Sequence, residues 1–357
     1  MQVSRFAPES PADKGRDEVA EAIGIPADNV HIISPFVGGG FGGKTRNLQV
    51  VEAARLSKLS GKPVQVAWTR QEEFFYDSFR PAAIVKIKSG LDKNGRINFW
   101  EYHVYFAGDR GAKHFYSIPN SITVSHGSGW GGGPDTHPFA TGAWRAPGNN
   151  TNTFARESQI DIMAAAAGID PVEFRLRNLT DKKMRNVIEA AAKKFGWKPA
   201  KAPSGHGFGV ACGTDAGTYV TVMAEVEVDK TTKHVKVKRV VAAQDMGLAV
   251  NPQGATIQME GCVTMGLGYA LAEDITFKGG QVLDTNFDTY EIPRFSWLPK
   301  IETVIIDAKN EPAQGGGEPV IIAMGAVIAN AIFDAVGARV MHLPLTSGRI
   351  EEALSKG

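Results

Sequence analysis

Clusters of glycine set the strongest limits on how this chain can fold. Of its 357 residues, 40 are glycine. They gather at a few points: Gly38-Gly39-Gly40-Phe41-Gly42-Gly43, Gly131-Gly132-Gly133-Pro134 and Gly315-Gly316-Gly317-Glu318-Pro319. Runs of this kind mark places where backbone bends sharply or meets another body closely. The segments between them are ordinary core-forming sequence, 43% hydrophobic and 22% charged overall. A chain of this length predicts one large domain or two to three smaller ones.

The last cluster carries the sharpest pattern. Glu318 stands between three glycines and an apolar run, 320–336, closed by Gly337. The run predicts a helix with Pro319 at its first position, where a missing N–H is no loss. Glu318 then sits at the helix's positive end, with room beside it for a ligand. A carboxylate held ionised in such a place is how a general base is built. The alternative is a helix cap following a flexible loop.

Three more motifs bear on the choice. The first glycine cluster follows a predicted strand at 31–37 and precedes a predicted helix at 47–59; a strand at 63–69 would complete a βαβ-like unit. The dinucleotide spacing G-x-G-x-x-G is met only through Gly38, Gly40 and Gly43, and Ser60-Gly61-Lys62 stands where an acid should meet a ribose. From Gly38 to Thr45 the chain also matches GxxxxGKT, so a phosphate loop stays open; Phe41 at its centre suits a planar ligand better. The second motif, Thr141-Gly142-Ala143-Trp144-Arg145-Ala146-Pro147-Gly148, places a forked guanidinium between an aromatic and a proline, suited to an oxyanion or carboxylate, the alternative being an Arg stacked on Trp144 at a loop surface. In the third, Asn251-Pro252 opens a helix bearing Gln258 and Glu260. Gln258 is expected on a buried face, where its amide needs partners.

Around these motifs the pattern predicts a helix at 12–24 and a hairpin of two strands within 83–106, turned by Asp92-Lys93-Asn94-Gly95. An irregular stretch follows at 107–150, then helices at 153–168, 171–177 and 181–195. Beyond a linker at 198–205 come strands at 217–229 and 234–244, a helix to about residue 273, a hairpin, a strand at 301–307 and the final helix. Strands and helices mix without strict alternation. That predicts an α+β fold, mixed sheets with helices packed on their faces, divided into 1–200 and 201–357. His114 and Tyr116, from the irregular stretch, with Trp144 and Pro147, are candidates to line a substrate pocket.

Net charge near +1 gives no footprint for nucleic acid or an anionic membrane. No run approaches about 18 consecutive apolar residues, and residues 1–25 lack a signal pattern. A cytoplasmic protein is expected, with the periplasm open only through a partner's signal. The two cysteines, Cys212 and Cys262, cannot supply four ligands to an iron–sulfur cluster, and are expected buried and reduced. The eight histidines form no HxH or HxxxH pair, so no metal held by protein ligands is expected.

In order and spacing, the glycine loop with Phe41, Ala143-Trp144-Arg145-Ala146-Pro147-Gly148, Asn251-Pro252 with Gln258-Met259-Glu260-Gly261, and Gly317-Glu318-Pro319 resemble the molybdenum-binding subunit of the xanthine dehydrogenase and aldehyde oxidase family. The resemblance covers nearly the whole chain. Gly217-Thr218-Tyr219-Val220 running into Ala224-Glu225-Val226, and the ending from Gly337-Ala338-Arg339 to Leu343-Pro344-Leu345, resemble the branch that holds the β-subunits of isoquinoline 1-oxidoreductase.

The resemblance implies two molybdopterin-binding domains, and molybdenum carried by molybdopterin cytosine dinucleotide without a protein ligand. It implies oxidative hydroxylation of an aldehyde or N-heterocycle with water as oxygen donor, Glu318 being general base toward the metal's hydroxide. It assigns Gly40, Phe41, Gly42, Gly43, Arg145, Gln258 and Gly317 to the cofactor. The implied partners are the other half of the molybdenum subunit, a small [2Fe–2S] subunit, and an acceptor carrying FAD or haem. Three departures stand out. An acidic-Met-Gly-Gln-Gly type loop is missing, so the chain resembles the C-terminal half of such a subunit. Glu9-Ser10 replaces an expected Thr-Gln pair. Thr45 and Pro147 stand where purine hydroxylases carry an acid and an aromatic clamp, which argues against xanthine. A half-subunit that shapes the pocket without turnover, and a phosphate-loop nucleotide-binding protein, are the rival readings.

Overall fold

The computed structural model describes residues 2–4, 12–34, 39–131, 137, 139–199 and 202–356. Glu9-Ser10, Gly38, Gly132-Gly133-Pro134 and the expected strand residues 35–37 lie outside them. The chain forms two compact units, each assembled from three stretches: Met1–Pro81, Trp130–Arg145 and Ile275–Thr289 in the first; Ala82–Gly129, Ala146–Asp274 and Tyr290–Gly357 in the second. Elements are numbered in chain order.

In the first unit β1 (Gln2–Ser4) pairs parallel with β2 (His31–Ile33). Helices α1 (Ala12–Ile23) and α2 (Leu48–Ser60) close a small core of Val19, Ala20, Ile23, Val30 and Ala54. Gly61, at φ +66°, ends α2 in the left-handed conformation that glycine adopts without steric cost. The strand expected at 63–69 does not form, and with it falls the βαβ unit; this stretch joins no ladder. Thr69 instead starts α3 (Arg70–Tyr76) as a capping box. The Glu72 N–H reaches Thr69 Oγ1 at 3.3 Å, and the Thr69 N–H reaches Glu72 Oε2 at 2.6 Å.

The second unit holds two sheets. In one, β3 (Ile84–Leu91) and β4 (Ile97–Tyr105) are antiparallel as expected, and β5 (Asn120–His126) lies parallel to β4. That third strand corrects the reading of 107–150 as irregular throughout. Helices α4 (Asn149–Ala167), α5 (Pro171–Arg177) and α6 (Lys182–Phe195) follow; Asp170 caps α5 and Asp181 caps α6 through two backbone N–H groups each. The other sheet runs β11-β8-β7-β6, from β6 (His206–Asp215), β7 (Thr218–Val228), β8 (Val235–Asp245) and, parallel to β8, β11 (Lys300–Ile305). The hairpin β9 (Phe277–Lys278) and β10 (Gln281–Val282) belongs to the first unit.

Helices α7 (Pro252–Leu271) and α8 (Met324–Val336) complete the core around the second sheet, and α9 (Ser347–Lys356) closes the chain. Neither β6 nor α9 was expected. An added Cβ at Gly209 would lie 2.0 Å from Val327 O, and at Gly207 2.2 Å from Ala331 O, so the α8 backbone packs straight onto β6. The run Pro319–Val336 is long and apolar enough to cross a membrane, but it is mostly buried inside this unit, as a core helix is. Mixed sheets carrying helices make the fold α+β, as expected.

Candidate functional site

Glu318 stands one residue before a short 3₁₀ turn, Pro319–Ala323, that leads into α8, and Pro319 takes the first helical position. Its side chain makes no capping hydrogen bond to the helix it precedes. It reaches instead to distant chain. Oε1 accepts the Ala146 N–H at 3.0 Å, and Oε2 accepts Arg110 Nη2 at 2.7 Å. The helix-cap reading is therefore replaced by a carboxylate held at both oxygens. Ala146 presents its N–H from a left-handed backbone, φ +55°, while completely buried. A non-glycine residue there is strained and needs its surroundings to hold it.

Arg110 is the residue that the sequence did not reveal. Its Nε and Nη2 meet Asp215 Oδ1 and Oδ2 at 2.9 and 2.7 Å, a two-pronged charge-assisted pair. Asn149 Nδ2 adds a 2.7 Å bond to Asp215 Oδ1. Burial works to lower the Arg110 pKa, but the bonds and charges of Asp215 and Glu318 outweigh it and leave the pKa raised. The guanidinium thus stays charged.

Behind Glu318, Gly317 is open on its side-chain face. A Cβ built there would meet only Gln258 Oε1, at 3.8 Å. The motif on α7 and the motif before α8 are thereby neighbours. Gln258 itself is exposed, which corrects the expectation of a buried face. Cys262, one turn further along α7, is a buried free thiol placed 3.4 Å from Gly317 O. Gln244, at the end of β8, is fully buried; its Nε2 lies 3.5 Å from Gly316 O and its Oε1 has no partner. An unpaired buried acceptor beside a glycine run is a place where a ligand N–H can bind.

In the first unit the structure joins two other sequence motifs. The Gly42 N–H donates to Ala143 O, and Gly42 has φ +67° with nothing within 4 Å of where a Cβ would be. Arg145 is only 5% exposed and lies with its guanidinium 6.0 Å from the Phe41 ring centre. Gly40 is buried, and a Cβ at Gly43 would overlap the Asp77 carboxylate. Lys44 Nζ turns back to Gly39 O and Thr45 Oγ1 to Gly42 O, while α2 starts only at Leu48. In a phosphate loop, Lys and Thr would open the helix and face the ligand. That geometry is not present.

The four pocket candidates fall in different surroundings. Trp144, partly exposed in the first unit, has the Arg80 guanidinium 5.6 Å from its ring. In the second unit Pro147 is buried just after Ala146. The His114 Nδ1–H donates to Tyr116 O at 3.0 Å, and burial holds this imidazole below its ordinary pKa. Tyr116 is 4% exposed and belongs to the core; its hydroxyl donates to Glu157 Oε1 at 3.0 Å. Among the described residues no three His, Cys, Asp or Glu side chains are grouped to hold a metal ion.

Residues 12–179 match one family described as a molybdopterin cofactor-binding domain, and residues 154–299 match a second of the same description. The chain is 28% identical to one subunit, designated B, of the nicotinate dehydrogenase of Pseudomonas putida, over 95% of its own length and 31% of that protein's. It is 28% identical to the β-subunit of isoquinoline 1-oxidoreductase from Brevundimonas diminuta, over 91% of its length and 44% of that protein's. The chain thus spans less than half the length of either relative. The crystal structure of quinoline 2-oxidoreductase from Pseudomonas putida 86 superposes with a TM-score of 0.83 at 16% identity, covering 97% of this chain and 71% of that one; this likeness speaks for the fold alone. Two cofactor-binding domains on one chain, with relatives along nearly its full length, establish that the protein belongs to the molybdenum-binding subunits of the xanthine dehydrogenase family.

Proposed function

We propose that this chain is the part of a molybdenum hydroxylase that orients substrate and moves the proton, acting on an aldehyde or N-heterocycle with water as oxygen donor. The observation that carries the reading is the Glu318 carboxylate, aimed away from its own helix and held at both oxygens. Such a group is positioned before the reaction starts, so no reorganisation is needed when the proton comes across.

The residues present fit a pterin cofactor. A Cβ at Gly42 would meet nothing within 4 Å and one at Gly317 only Gln258 Oε1 at 3.8 Å, and Gln244 keeps a buried acceptor unpaired. Gly40, Phe41, Gly42, Gly43, Arg145, Gln258 and Gly317 are the residues proposed to hold it. The first cofactor-binding region, 1–200, and the second, 201–357, follow from this order of motifs. When bound, as the cytosine dinucleotide, the cofactor supplies the two-electron redox chemistry. The protein's own part is narrower. Arg145 fixes an anionic edge, Gln258 bonds a ring edge, and a Glu318 oxygen takes the proton. Trp144, Pro147 and His114 shape the substrate side; Tyr116, buried in the core, does not. The remaining half of the molybdenum subunit, a [2Fe–2S] subunit and an FAD or haem acceptor complete electron transfer.

The test uses the complex as purified from its host. Molybdenum measured by mass spectrometry, and CMP released by acid, should both be near stoichiometric. Glu318→Gln should keep metal and nucleotide but lose about 10²–10⁴ in kcat, the usual worth of a positioned proton acceptor. Unchanged turnover in that variant would remove the base role.

A further inference from the structure

We propose that Arg110, anchored by Asp215, is a positioning residue that fixes the Glu318 carboxylate in its working orientation. The proposal rests on the reading of Glu318 as proton acceptor. It comes from a juxtaposition that no local motif contains: Arg110 lies 208 residues from Glu318 and 105 from Asp215.

The geometry separates two jobs on one guanidinium. Nε and Nη2 are both engaged by Asp215, whose side chain is 1% exposed and also held by Asn149. That buried pair fixes the plane of the guanidinium. Nη2 then has a second acceptor, Glu318 Oε2 at 2.7 Å. With Oε1 held by the Ala146 N–H, the carboxylate is fixed at both ends and its rotation about the last side-chain bond is stopped. Lysine in place of Arg110 would keep the charge, but it could not hold Asp215 at two points and Glu318 at once.

The charged and titratable groups on the surrounding elements are engaged elsewhere. On α4, Arg156 and Glu157 are buried together, and Asp161 is bound by Arg339. On β6, Cys212 points to Glu157 and Asp215 to Arg110. On β7, Tyr219 bonds Asp181, and on α7, Glu260 is exposed. Arg110 is therefore the one cation bonded to the Glu318 carboxylate among the described residues.

Two readouts test it on the assembled enzyme. The first is the split between kcat and KM. Arg110→Gln should lower kcat about tenfold or more while KM moves less than about threefold, because orientation is lost and substrate binding is not. Arg110→Lys should recover only part of that loss. Since Arg110→Gln strands a buried Asp215, the double variant Arg110→Gln/Asp215→Asn removes the stranded charge and should show the same kcat loss in a normally melting protein.

The second readout needs no turnover. Glu318 is labelled with a carbodiimide and an amine, and the modified peptide is quantified by mass spectrometry. Release of a charge-assisted bond on a partly exposed carboxylate should raise its labelling several-fold, up to about tenfold, in both Gln variants. Unchanged labelling and unchanged kcat in the folded double variant, with molybdenum retained, would overturn the positioning role. Wild-type turnover in Glu318→Gln would instead remove the base reading, and the labelling experiment would still report on the clamp.

Discussion

Ala146 shows how the site combines a legible residue with an illegible one. The motif around Arg145 was visible as a string, and it pointed to the guanidinium. The backbone beside it does equal work, because the Ala146 N–H is the donor to Glu318 Oε1 at 3.0 Å. No side-chain pattern announces a left-handed alanine, and the need for φ +55° arises only when the loop meets Glu318. Arg110 and Asp215 were hidden for a related reason: single charges in stretches without periodicity acquire meaning only from partners far along the chain. Gln258 was singled out from its motif, but its exposure was misjudged, since the period of α7 does not say which flank the glycine run covers. Ala146→Gly separates strain from function. Glycine relieves the left-handed strain, about 1 kcal/mol, and loses a similar amount to its unfolded freedom. Stability by urea titration should therefore stay within about 1 kcal/mol of wild type. Turnover should fall several-fold as the donor loosens, and an unchanged kcat would show that the alanine is incidental.

Among the elements, alternation was legible and glycine-broken alternation was not. The strands β3, β4, β7 and β8 carry regular patterns and were expected close to where they lie. In β6 the string His-Gly-Phe-Gly-Val-Ala-Cys-Gly-Thr-Asp hides the same period, because Gly207, Gly209 and Gly213 stand on the face toward the helical layer. At Gly207 and Gly209 the missing side chains are what let α8 approach. Its own Ala331 meets the strand there, and Asn330 Nδ2 donates to Val210 O at 3.1 Å. Conversely, β-branched and aromatic residues at 63–69 suggested a strand that never found a partner, while Thr69 and Glu72 already spelled a helix start. Two glycine substitutions test this account against each other. Gly209→Ala puts a methyl carbon 2.0 Å from Val327 O, which the backbone must move to accept, and it should cost about 2–4 kcal/mol. Gly337→Ala has open space and only its φ of +80° to pay for, so about 1 kcal/mol is expected. Thermal melts that rank the two variants the other way would overturn the packing argument for β6.

At the scale of the molecule, sequence order and packing order part company. The sequence motifs suggest a division near residue 200, whereas the second cofactor-binding family match begins at residue 154 and overlaps the first. The packing of the second unit does not follow that division either, because Ala146–Asp274 runs through it without a break. Its centre is a buried polar cluster built from both sides of that point. Glu157 of α4 accepts Arg175 Nε at 3.0 Å, the Tyr116 hydroxyl at 3.0 Å and the Cys212 N–H at 3.2 Å, while Asn330 Nδ2 reaches Glu157 O at 3.3 Å. Arg175 and Glu157 are completely buried, so each is viable only while the other is present. Losing one partner of such a pair costs about 3–5 kcal/mol, a large share of a domain's usual stability. Residues 1–200 alone would keep the charges but lose β6 and α8, which cover them; residues 201–357 alone would expose the apolar face of the sheet that α6 and α4 cover. Neither piece should unfold cooperatively when produced by itself, and co-production should restore a complex that melts in one transition. A sharp, reversible melt with dispersed amide resonances from 201–357 alone would show that the second cofactor-binding region is a body of its own, and that the cluster around Glu157 joins two finished domains instead of finishing one.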